Sequence, residues 1–106
     1  MVLHWLHTDC LSTGWFDPAD GPAAFVFDDA QIEHEQWGLK RIGFIYECLI
    51  ELDVAILRGP TAPVLTAFAA QRNCERIATV RTPDPWVTAR GQGLRSLGWI
   101  EPQPFV

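Results

Sequence analysis

The stretch from Gly38 to Gly59, GLKRIGFIYECLIELDVAILRG, decides the fold. In its first half Ile42, Ile45, Leu49 and Leu52 recur at three- and four-residue spacing, which draws one apolar stripe along a helix. Tyr46 and Cys48 widen that surface, and Lys40, Arg41, Glu47 and Glu51 are left for water. Val54 to Leu57 is then a short continuous apolar run, closed by Arg58-Gly59-Pro60. A run apolar on both faces suits a parallel strand covered by helices on both sides.

Outward from this unit, Val2 to Thr8 reads as a first strand. Val2, His4, Leu6 and Thr8 share one face, and Leu3, Trp5 and His7 share the other. Gly14, Pro18, Gly21 and Pro22 break the segment 9–23, leaving at most a helical turn near Leu11 to Phe16. So thin a connection covers its side of the sheet poorly, and Trp15 and Phe16 are expected to fold down there. Ala24 to Phe27 is a second strand, after which Asp28 or Asp29 caps a short turn over Ala30 to Glu35. Beyond Gly59, Thr61 resembles an N-cap with Pro63 in the first turn. Val64, Leu65, Phe68 and Ala69 form that helix's buried stripe, which ends near Asn73. Arg76 to Val80 is a fourth strand. Asp84 caps a last helix, with Pro85 at its first position, running to Leu97. Trp99 to Val106, limited by Pro102 and Pro104, is an extended edge piece. Strands alternating with helices imply an α/β fold with a parallel sheet and right-handed crossovers.

At 106 residues, 48% of them hydrophobic, the chain reads as a single globular domain spanning 1–106. A net charge of -5 with scattered basic residues argues against a nucleic-acid or anionic-membrane surface. No apolar run reaches membrane-spanning length. The start, MVLHWLHTDC, has neither a positive beginning nor a long apolar segment, so no secretory signal is expected. Three irregularly spaced cysteines make no disulfide framework, and a reduced, cytoplasmic protein is the simplest expectation.

Ligands of open parallel sheets bind beyond the carboxyl ends of the strands, where strand order reverses. Here those ends carry Thr8-Asp9-Cys10, Asp28-Asp29, Arg58-Gly59 and Arg81-Thr82, with Asp84 following. Thr8, Asp9 and Thr82 can hydrogen-bond a ribityl, ribose or pterin group, with Arg81 or Arg58 near a phosphate. No strand is followed by a GxGxxG or P-loop pattern, so a tight pyrophosphate cradle is not supported. His4, His7, Cys10 and His34 fit no zinc spacing, because strand residues three apart point to opposite faces. Cys10 and His7 offer a thiol and a base without a third, orienting group. Of the five tryptophans, Trp5 is expected in the core, and Trp37 and Trp86 at a surface contact.

Several motifs in order resemble the N-terminal α/β domain of the DNA photolyase and cryptochrome family. Leu6-His7-Thr8-Asp9-Cys10-Leu11 stands where the family has Phe-Arg-x-Asp-Leu-Arg, keeping the aspartate and neither arginine. Gly38-Leu39-Lys40-Arg41-Ile42-Gly43-Phe44-Ile45 matches Gly-x-x-Arg-x-x-Phe-Leu, and Cys48-Leu49-Ile50-Glu51-Leu52 matches Cys-Leu-x-x-Leu. Arg58-Gly59 matches the strand ending in Arg-Gly, and Asp84-Pro85-Trp86 with Arg90 is similar to the family's late acidic-Pro-aromatic element. The resemblance implies a three-layer Rossmann-like fold with a mostly parallel five-stranded sheet in the order 3-2-1-4-5. It adds Arg41 to the candidate ligand-binding residues. In the family this domain packs on a helical FAD domain and, in many members, holds an antenna chromophore: a folate, a deazaflavin or a flavin. These 106 residues leave no room for the helical domain, so flavin photochemistry is not expected of them. Two functions are therefore expected: a non-catalytic module binding a nucleotide-, flavin- or folate-like molecule, or an interaction module or homodimer without such a ligand.

Overall fold

The computed structural model describes residues 1–8, 11–80 and 85–93. Among them run β1 (Val2–Leu6), β2 (Ala23–Phe27), α1 (Asp29–His34), α2 (Leu39–Glu51), β3 (Ala55–Arg58), α3 (Thr61–Gln71), β4 (Arg76–Ala78) and α4 (Pro85–Gly93). The four strands form one sheet in the order β3-β2-β1-β4, and every pairing is parallel. The chain steps outward from β1 to β3 and then returns to β1's other side, so strand order reverses between β1 and β4. This is the α/β, Rossmann-like arrangement. The fifth strand expected over Trp99 to Val106 lies outside the described residues, as does the stretch of the last helix beyond Gly93.

Strand alternation splits the core into two layers. Leu3, Trp5, Ala24, Val26 and Ile77 face α3 and α4, where Leu65, Phe68, Ala69 and Val87 meet them. Leu6, Phe25 and Phe27 face the other way, onto Ile45 and Leu49 of α2 and onto Trp37. Ile42 and Leu52 complete the α2 stripe at its margins. Leu3, Leu49, Leu65 and Ile77 are fully buried, and each such side chain contributes roughly 1.5–3 kcal/mol of transfer free energy. No helix among the described residues is long and apolar enough to cross a membrane.

Three expectations change in detail. Trp37, expected at a surface, is buried. Gln36 takes a positive φ of 53°, and Trp37 N–H then donates to Ile32 O, which turns the indole inward. Thr61 is the first residue of α3 rather than its cap, a position held by Pro60. β3, expected to be covered on both faces, is only partly buried, being the edge strand among the described residues.

Trp15 and Phe16 do fold onto the sheet. Phe16 stacks on the His4 ring at 3.9 Å, and Trp15 meets that ring edge-on at 5.5 Å. His4 is buried, and its Nδ1 lies 3.1 Å from Pro22 O; a carbonyl only accepts, so Nδ1 carries the proton. Burial pushes the imidazole pKa below its ordinary value, and the Pro22 carbonyl offsets this only in part. Gly21 lets this connection lie against β1. Its φ is +151°, and a Cβ there would stand 1.9 Å from Val2 O.

Gly21→Ala is expected to lower unfolding free energy by about 3 kcal/mol in urea denaturation; a loss below about 1 kcal/mol would show that this contact yields freely. His4 binds its proton more weakly folded than unfolded, so its stabilisation is full above the unfolded pKa and is lost as pH falls below it. Between about pH 7 and pH 5, wild-type stability should therefore fall by up to about 1.4 kcal/mol per pH unit more steeply than that of His4→Gln. Parallel stability–pH curves for the two proteins would refute this.

Candidate functional site

At the carboxyl edge, β2 ends in Phe27 and hands the chain to Asp28, whose side chain caps α1. Asp28 Oδ1 accepts from Ala30 N–H at 3.0 Å. Its Oδ2 accepts from Thr61 N–H at 2.9 Å and from Thr61 Oγ1–H at 2.7 Å. One buried carboxylate thus joins the N-termini of α1 and α3. Burial alone would raise the carboxyl pKa; the Thr61 hydroxyl and amide, with the Ala30 and Gln31 amides, outweigh that and hold it below the ordinary aspartate value. Beside it, Gly59 N–H donates to Phe27 O at 3.0 Å. Arg58 reaches across to Asp29, with Nε to Oδ1 at 3.1 Å and Nη2 to Oδ2 at 3.4 Å. That pair is exposed and stabilises little by itself.

A cleft of about 550 Å³ opens here. Asp28, Asp29, Gly59, Pro60 and Thr61 form one wall, and Ala89 of α4 the other. Ala89 also lines a second opening of about 410 Å³, with His34, Glu35, Pro85 and Trp86, so the two adjoin along α4. In the second opening the His34 and Trp86 rings lie near-parallel at 6.2 Å. Glu35 Oε1 accepts from Trp37 Nε1 at 3.5 Å, while Oε2 is buried without a hydrogen-bond donor among the described residues. Among the described residues the edge therefore offers acceptors, the exposed Arg58 guanidinium and an aromatic face. Such a set recognises donor-bearing, planar molecules better than bare phosphate.

The sequence-predicted residues divide among three places. Asp28 and Gly59 line the first cleft, and Arg58 stands at its rim through Asp29. Thr8 lies at the β1 end, against the reversal, beside His7, Gln31, Thr61 and Trp86. The space among these is only about 10 Å³, and His7 Nε2–H donates to Val80 O at 2.8 Å there. Arg41 is on α2, with its guanidinium 4.7 Å above the Trp37 ring, and does not line the cleft. Asp9, Cys10, Arg81, Thr82 and Asp84 lie outside the described residues. Sequence reading did not single out Thr61 as a partner of Asp28, nor Glu35 as a buried acceptor. The only local signals were an acidic pair directly after a strand and a Thr directly after Gly-Pro. Among the described residues no three His, Cys, Asp or Glu side chains gather as metal ligands. No protein-family model, curated protein or solved structure matches the chain.

Asp28→Ala strands two buried donors on Thr61 and should cost about 3 kcal/mol of unfolding free energy. The Asp28 pKa is lower folded than unfolded, so its stabilisation is full above the unfolded value and drains away as pH falls toward the folded one. Asp28→Asn should therefore flatten the acid limb of the stability–pH curve; an unchanged acid limb would assign that dependence to other carboxyls.

Proposed function

We propose that the chain is a non-catalytic α/β binding module of the photolyase N-terminal type, holding a nucleotide-like or flavin- or folate-like small molecule at the carboxyl edge of its sheet. The observation that carries this reading is the adjoining pair of clefts where α1, α3 and α4 converge. Their size suits a fused-ring ligand with a short polar tail. Trp86 and His34 supply a face for the ring. Asp29 and Arg58 stand where a hydroxylated or phosphorylated tail would run. The resemblance of Gly38 to Ile45 and of Arg58-Gly59 to the photolyase family supports the same ligand class.

A second reading is an interaction module or homodimer without a small-molecule ligand. One observation favours it: Leu39, Tyr46 and Ile50 are exposed on α2.

The ligand reading is tested by titrating the protein with riboflavin, FMN and folate, followed by ligand fluorescence and thermal shift. One of the three should bind, and Trp86→Ala should weaken it by roughly tenfold. Absence of binding by all three at millimolar concentration, or equal affinity in wild type and Trp86→Ala, would refute the assignment.

A further inference from the structure

We propose that α2 carries a self-complementary seam through which two copies of this chain pair antiparallel about a twofold axis. The inference rests on the second reading above and gives it a surface and a register.

The buried stripe of α2 is not its only apolar stripe. Leu39, Gly43, Tyr46 and Ile50 follow at spacings of four, three and four, the alternation of a helix–helix seam. Leu39, Tyr46 and Ile50 are 88%, 49% and 57% exposed, and a Cβ built on Gly43 would meet nothing within 4 Å. A groove of about 640 Å³ runs beside this stripe to Ile56 on β3, the edge strand among the described residues.

The residue numbers prescribe the occupant. A twofold axis midway between Gly43 and Tyr46 sets Leu39 against Ile50 of the second copy, and sets Tyr46 into the notch above Gly43. Each bulky residue meets a complementary one, and the notch is filled by the one large ring on the seam. In such a pair the same flank of each helix faces its copy. On the solvent flank stand Lys40 near the start of α2 and Glu47 near its end, so each Lys40 faces the second copy's Glu47.

Within one chain this charge layout is unfavourable. A cation in the first turn and an acid in the last oppose the helix dipole, and Glu47 and Glu51 repel one another at four-residue spacing. Among the described residues neither Lys40 nor Glu47 has an ion-pair partner. An antiparallel copy reverses the disadvantage, because acids then lie beside the basic end.

The full chain is measured by light scattering coupled to size exclusion, with sedimentation equilibrium across micromolar to hundred-micromolar concentration. A dimer is expected for wild type, and its dissociation constant should rise by roughly tenfold or more in Lys40→Glu and in Glu47→Lys. Mixing those two variants should restore the dimer, because only the mixed pair sets opposite charges together on both sides. Circular dichroism confirms that each variant is folded. A wild-type monomer at every concentration overturns both the seam and the homodimer reading. A wild-type dimer that neither variant weakens, or that the mixture fails to restore, leaves the homodimer standing and overturns this seam.

Discussion

Asp28 gathers donors from two helices onto one buried carboxylate. An unpaired charge in that position would be costly, so the arrangement survives only while α1 and α3 both present their first amides to it. The Thr61 hydroxyl adds a further bond, and the low carboxyl pKa reflects the sum. The dependence runs in both directions. The carboxylate satisfies helix N-termini that would otherwise be orphaned, and those N-termini make its burial tolerable. Both partners of this contact, Asp28 and Thr61, line the cleft at the carboxyl edge.

Much of the architecture is written in local periodicity. The α2 stripe through Ile45 and Leu49, the alternation in Val2 to Thr8, and the breakers at Gly21 and Pro22 each act over a few residues. Those are the ranges over which a chain's pattern constrains its backbone. The parallel sheet follows from the alternation of strands and helices, and β1 is its hub with a neighbour on each side. What periodicity does not carry is contact between distant residues. Thr61 reads as a cap from its neighbours, yet its hydroxyl goes to a carboxylate 33 residues earlier. Trp37 follows a turn whose left-handed residue is Gln36, an unusual choice for that conformation. Tyr46 belongs to an apolar helix surface in sequence, but half of it meets water because β3 ends the sheet.

The site was legible as a location more than as a set of side chains. Strand ends announce themselves through Asp28-Asp29 and Arg58-Gly59, and the topology says which edge a ligand uses. Which of those ends is open depends on how α4 lies. Trp86 fills the space above Thr8 and His7, so among the described residues the usable volume shifts to the neighbouring ends of β2 and β3.

β1 and β4 bear on how the chain is made. Val2, Leu3 and His4 pair with Arg76, Ile77 and Ala78, and the Thr79 hydroxyl donates to Trp5 O across a separation of 74 residues. During synthesis β2 and β3 emerge early and can assemble on one side of β1. The other side stays bare until Arg76 to Thr79 are there to pair with it. A nascent chain stalled or truncated before that point presents a flat apolar strand with unpaired amides, a template for joining another polypeptide.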